Sequence, residues 1–207
     1  MLKLYYAANS CALASHIALE EAGADYEAIA VDFAAGAQKS ADYLAINPKG
    51  RVPALVTGQG VLTETPALLL YIAQSHPAAN LAPLDNPFAL AEAQAFNNYL
   101  CSTVHVAHAH RRRGQRYADD PAAWEAMRAK VPQAMAECFA YIERDLIKGP
   151  WVLGRDYSIC DPYLFPLAGW LGGDGVDRKG FPNVERHFQA MSERGAVQNI
   201  MPAHAVG

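Results

Sequence analysis

The stretch LKLYYAANSCALASHIALEEAG, residues 2–23, passes from a strand pattern to a helical one across a single loop. Leu2 to Tyr6 is short and β-prone, whereas Leu13, Ile17 and Leu19 follow a helical period that Gly23 closes as a C-terminal stop. Tyr26 to Phe33 supplies a second strand, with Ile29 and Val31 among its apolar residues. This start predicts two parallel strands joined by a right-handed crossover. After the small-residue loop Ala34 to Ala37 and a helical turn around Asp42 to Ile46, NPKGRVPAL (Asn47 to Leu55) breaks the pattern. Pro53 drives Val52 out of helical backbone, so Ala54 to Val56 reads as a strand that pairs through a turn at Gln59-Gly60 with Val61 to Thr63. In TETPALLLYIAQS a helix follows, with Thr65 as its cap and Pro66 in its first turn.

Beyond this mixed unit the pattern is helical. PAANLAPLDNP (Pro77 to Pro87) is rich in proline and small residues and reads as a linker. Helices are predicted near Phe88 to Arg113, Ala122 to Ile147, Ile159 to Leu171, Asn183 to Glu193 and Ala196 to Met201. The expected division is an α/β unit over residues 1–77, a linker over 78–87 and an all-α unit over 88–207.

With 207 residues, 52% of them hydrophobic and a net charge of -4, the chain has the composition of a globular protein and no basic surface for nucleic acid or anionic membrane. The N-terminal residues lack the order of a secretory signal and no apolar run reaches a membrane span, which predicts a cytoplasmic protein. Cys11, Cys101, Cys138 and Cys160 form no CxxC pair, so reduced thiols are expected, with neither a disulfide framework nor a metal site.

Cys11 is placed where a helix begins, just after Ser10. Unpaired amides and the helix dipole lower a thiol's pKa there, although a small buried residue at a strand–helix joint gives the same pattern. With Ala14 three residues on, there is no resolving cysteine, so a reactive Cys11 needs an outside thiol; glutathione is the cytosolic one. His105, His108 and His110 invite a metal reading, but two residues apart on a helix point about 200° apart, so one ion cannot collect all three. The run RRRGQR, Arg111 to Arg116, reads first as a solvated helix end and second as a contribution to a pocket.

KLYYAANSCALASHIALEEAG, LAINPKGRVPAL, LTETPALLLYIA and GRDYSICDPYLF together resemble the glutathione transferases, and most closely their bacterial beta class, over nearly the whole chain. The resemblance implies a thioredoxin-like N-terminal domain, an all-helical C-terminal domain, a homodimer, and glutathione as cosubstrate in a cleft between the halves. It implies that Val52-Pro53 is a cis-proline turn whose valine backbone pairs with the cysteinyl part of glutathione. Glu64 and Thr65, at a helix start, would take the γ-glutamyl ammonium and carboxylate. By similarity Asn98 and His105, seven apart and so on one face of a regular helix, reach toward glutathione, His105 at the sulfur or Cys11. Tyr6 is a candidate because an N-terminal tyrosine activates the thiol in other classes, and Trp170 matches a residue lining the electrophile side.

The chain departs from the beta class at Val106, where a lysine is usual, and at Ala34 to Lys39, where basic residues are usual and Lys39 is the substitute on offer. Ser158-Ile159-Cys160-Asp161 reads as a capping box with a folding role. Three functions stand open: conjugation of glutathione to small hydrophobic electrophiles, thiol–disulfide chemistry through a Cys11 mixed disulfide, and a non-catalytic binding module.

Overall fold

The computed structural model describes residues 1–204, so the last three residues of the expected all-α unit lie outside the described ones. Strands β1 (Leu2–Tyr6), β2 (Tyr26–Ala30), β3 (Ala54–Thr57) and β4 (Gly60–Thr63) form one sheet in the order β2-β1-β3-β4. β1 runs parallel to β2, with Leu4 opposite Ala28, and antiparallel to β3, with Leu4 opposite Leu55. β3 and β4 make the expected hairpin, Leu55 opposite Leu62. Helix α1 (Ala12–Glu21) carries the crossover, α2 (Ala41–Ile46) leads into the NPKGRVPAL loop, and α3 (Thr65–Ser75) closes the mixed unit.

β2 stops at Ala30, three residues short of the expected Phe33. The cause is Asp32, whose Oδ1 accepts from the amides of Ala34 and Ala35 at 2.9 and 3.0 Å and folds the chain into a turn. Phe33 is thereby released from the sheet and lies 38% exposed.

Helices α4 (Pro87–Tyr99), α5 (His105–Ala109), α6 (Pro121–Tyr141), α7 (Asp161–Trp170), α8 (Pro182–Ser192) and α9 (Gly195–His204) build the rest. The single helix expected over 88–113 is interrupted by a π-turn at Leu100–Val104, where the His105 amide reaches back five residues to the Leu100 carbonyl. The Ser102 hydroxyl donates to the Asn98 carbonyl at 2.8 Å within the same turn. A second π-turn, Ile142–Leu146, ends the helix that begins with α6.

α1 binds the two halves together. It packs on α3, α7 and α9, and its Ala12, Ala14 and Ala18 are fully buried or nearly so. Short side chains on several faces let neighbouring helices approach it from several directions, which explains a helix that is not amphipathic. Leu4, Leu55, Leu68 and Ile72 of the first half and Leu100, Met135, Phe139 and Tyr163 of the second belong to one continuous core. Each fully buried Leu, Ile, Met or Phe of this kind contributes on the order of 1.5–3 kcal/mol over its exposed state.

Asp161 locks the junction ahead of α7. Its buried carboxylate accepts from the Ser158 amide at 2.7 Å, the Val152 amide at 2.8 Å, the His187 ring at 3.0 Å and the Ser158 hydroxyl at 3.2 Å. The Ser158 hydroxyl in turn accepts from the Cys160 amide at 3.3 Å, so the expected capping box is present. Among the described residues, no helix is long and apolar enough to cross a membrane.

Candidate active site

A cleft of about 410 Å³ opens between the mixed half and the helical half, with Cys11 in its lining. The loop before β3 forms one wall. Asn47, buried, holds this loop from inside: its Nδ2 donates to the Arg51 carbonyl at 2.7 Å, and the Tyr43 hydroxyl donates to the same oxygen at 2.6 Å. Gly50, with φ of 60°, takes the left-handed backbone this bend requires. The loop ends in a cis Val52-Pro53 bond, as the resemblance implied. Among the described residues the Val52 carbonyl is met by the Cys11 thiol alone, at a long 3.9 Å, and the Val52 amide has no partner. A length of unpaired backbone thus faces the cleft, the edge that an extended peptide needs.

The start of α3 forms the adjoining surface. The expectation of Thr65 as cap is corrected: Thr65 is the first helical residue, and the cap position falls to Glu64, whose φ of 73° turns the chain and whose side chain makes no capping bond. The Thr65 hydroxyl donates instead to the Cys11 sulfur at 3.5 Å. First-turn amides of α3 therefore lack a side-chain partner and can receive an anion. The Glu64 carboxylate is paired with Lys49 at 2.5 Å and remains largely exposed.

Ser10 caps the first turn of α1, accepting from the Ala12 amide at 3.3 Å and donating to the Ala7 carbonyl at 2.7 Å. Cys11 follows it, as expected, but its chemistry differs from the expectation of a lowered pKa. The residue is 7% exposed, and burial pushes its thiol up against the lowering effects of the Thr65 hydrogen bond and the Arg113 charge. At neutral pH Cys11 is a thiol and a hydrogen-bond donor. Tyr163, beneath it, is also buried, and its phenol is raised by burial and by the neighbouring Cys11 and Cys101.

The helical half supplies the opposite wall. His105 lines the cleft, and burial, followed by the Arg113 charge, holds its pKa down at about 4, so the ring is neutral. It meets Trp170 edge-on at 5.2 Å, and His108 stacks on the same indole at 4.3 Å. His108 is fixed from behind by the buried Asp174 carboxylate, 2.7 Å from its Nδ1, which also receives Arg111 at 3.3 Å.

Of the residues singled out from the sequence, Cys11, Val52, Pro53, Glu64, Thr65, His105 and Trp170 meet in this cleft. Two do not. Asn98 is exposed on α4, outside the cleft, because the π-turn adds a residue between it and His105 and so shifts their relation by about 100° from a shared face. Tyr6 is buried between His16 and His204, its ring 5.2 and 4.7 Å from theirs, and its hydroxyl points to the Ala203 carbonyl at 3.4 Å. Sequence reading passed over Tyr163 and Arg51, and it preferred a solvated helix end for Arg113 and Arg116, all of which line the cleft. The signal available was the basic run itself. Cys101 also lines the cleft, whereas Cys138 and Cys160 are packed away, and all four thiols are free. Among the described residues no group of three or more His, Cys, Asp or Glu side chains could hold a metal ion.

The geometry has counterparts among known proteins. Residues 1–74 match the family described as glutathione S-transferase, N-terminal domain. Glutathione S-transferase GstA of Escherichia coli O157:H7 is 30% identical over 207 residues, 99% of this chain and 100% of its own length. Glutathione S-transferase Z2 of Arabidopsis thaliana is 30% identical, with 97% and 91% covered. A crystal structure of a glutathione transferase homologue from Sulfitobacter with bound glutathione superposes with a TM-score of 0.96 at 45% identity, covering 100% of this chain and 99% of its own. A bacterial beta class glutathione S-transferase from Sphingomonas chungbukensis superposes at 0.84 with 31% identity, covering 99% and 100%.

Proposed function

The chain belongs to the glutathione S-transferase family, and we propose on that footing that its cleft holds glutathione and delivers the thiolate to an electrophilic carbon. The observation that carries the site assignment is the convergence on Cys11: the Thr65 hydroxyl at 3.5 Å and the Val52 carbonyl at 3.9 Å. A tripeptide laid along Val52 as an added strand brings its own sulfur to this point. Its γ-glutamyl carboxylate then meets the open amides of α3, and its ammonium shares Glu64 with Lys49.

In this reading Cys11 is a donor, not the nucleophile. Burial keeps its proton on while the Thr65 hydroxyl donates to its sulfur, so the Cys11 S–H and the neutral His105 ring supply hydrogen bonds to the glutathione sulfur. Donors placed where negative charge develops favour the thiolate over the thiol, and that is the catalytic effect. The redox reading rested on an ionised Cys11, which the raised pKa does not favour. The beta class resemblance further supports a homodimeric detoxification enzyme of the cytoplasm.

Titration calorimetry with glutathione and turnover of 1-chloro-2,4-dinitrobenzene test the proposal. Expected are saturable heat and a glutathione-dependent conjugate; absence of heat at millimolar glutathione refutes it. Sedimentation of the purified protein tests the dimer.

A further inference from the structure

The cleft is more basic than the protein around it. The chain carries a net charge of -4, yet Lys39, Arg51, Arg113 and Arg116 line the cleft against one carboxylate, Glu64, which Lys49 already holds. Among the described residues none of these four cations makes an ion pair. The three cleft arginines act on one another's surroundings: Arg113, Arg51 and Arg116 all press on His105, and Arg113 and Arg51 on Arg116. Like charges gathered without carboxylates oppose one another, and a recessed cleft focuses their field on an entering anion.

Glutathione accounts for part of this charge. One of its two carboxylates goes to α3, and the other, at the glycine end, is met from the mixed half, where Lys39 and Arg51 lie. Arg113 and Arg116 belong to the other wall. They flank Gly114 on the turn after α5, beside the exposed ring of Tyr117 and on the same side as the His108–Trp170 stack. Aromatic rings lining the same cleft as two free guanidinium forks suit a planar molecule bearing an acid group.

We infer that the second substrate is a planar, anionic electrophile, its ring lying against Trp170 and His108 and its carboxylate held by Arg113 and Arg116. The inference rests on the glutathione transferase reading and replaces the small hydrophobic electrophile expected from the resemblance. For an aryl chloride the step is an aromatic substitution: glutathione gives up its thiol proton to solvent, its sulfur forms a bond to the ring carbon, and the carbon–chlorine pair leaves as chloride.

The test compares 4-chloro-3-nitrobenzoate with its methyl ester, which share ring and leaving group. Each kcat/KM is divided by the uncatalysed rate with glutathione at the same pH, because the ester is intrinsically the more reactive. The expected enhancement is about tenfold or more greater for the carboxylate, a margin that shrinks with added salt in the unaltered protein. In the double variant Arg113→Gln, Arg116→Gln the margin falls toward one. An unaltered protein with equal enhancements, or with a margin indifferent to salt, overturns the inference while glutathione-dependent turnover of the ester leaves the family reading standing. Turnover of neither compound overturns it too, and a calorimetric titration with glutathione then shows whether the glutathione site fails with it.

Discussion

Lowering the pH from 7 to 5 loads one particular contact, the imidazole pair that fastens α9 to α1. His16 Nδ1 and His204 Nε2 lie 2.8 Å apart and are buried at 3% and 4% exposure. One ring donates and the other accepts, so protonating the acceptor sets two N–H groups against each other. Around them are the rings of Tyr6 and Tyr26 and one carboxylate, Glu20, whose oxygens are already engaged by Tyr26 at 2.9 Å and Asn199 at 3.2 Å. Among the described residues His204 Nδ1 has no acceptor for a second proton. Burial foremost holds both rings at about 4, below the ordinary 6.5. The unfolded chain therefore binds more protons than the folded one between these values, and stability is present above 6.5 and lost as pH falls toward 4. For one such ring the loss is about 2 kcal/mol at pH 5.

The assay is urea unfolding at fixed protein concentration at pH 7 and pH 5, for the unaltered protein and for His204→Gln. Glutamine can still bond to His16 but does not titrate. The depressed His105 contributes equally to both proteins, so the informative quantity is the difference between the two pH slopes. A smaller slope in the variant, by on the order of 2 kcal/mol, is expected. Equal slopes, or an unaltered protein indifferent to this pH change, refute the reasoning.

Three other outcomes follow from particular contacts. Asp161→Ala strands the buried amides of Val152 and Ser158 and the His187 ring, so it is expected to cost roughly 4 kcal/mol or more in urea unfolding, and a loss below about 1 kcal/mol contradicts the account. Alkylation of Cys11 by iodoacetamide, with the other cysteines replaced, is expected to titrate above the ordinary 9.0, and an inflection below 8 would show an ionised thiol that burial forbids. In Gly114→Ala the added methyl would meet Trp124 Cβ at 2.8 Å, which costs about 1–3 kcal/mol and disturbs the turn carrying Arg113 and Arg116; an unchanged melting temperature speaks against that packing.

Residue type and period were enough to read the sheet, the crossover and the NPKGRVPAL loop, because Pro53 restricts the backbone locally and Gly23 and Gly60 admit the positive φ at which elements turn. The same local reasoning reached Cys11, and the family resemblance reached Val52, Glu64 and Thr65, all of which lie at element ends. It could not reach Tyr163, whose position beneath Cys11 depends on how α7 seats against α1. Nor could it foresee the thiol's raised pKa: a helix start is visible in sequence, but the packing that removes water from Cys11 is contributed by distant residues. The end of β2 was missed because Asp32 acts through a turn bond to later amides and not through its strand propensity.

The π-turn at Leu100–Val104 works as a phase shifter in an otherwise continuous rod. Residues before it and after it are indexed to different neighbours, so deleting one residue there would relax the rod to a regular pitch. The histidines downstream would then swing away from the cavity while Asn98 came into line with them. A single-codon deletion within this pentapeptide is thus a sharper lesion than most substitutions on either side, since it moves the wall beyond it as one body.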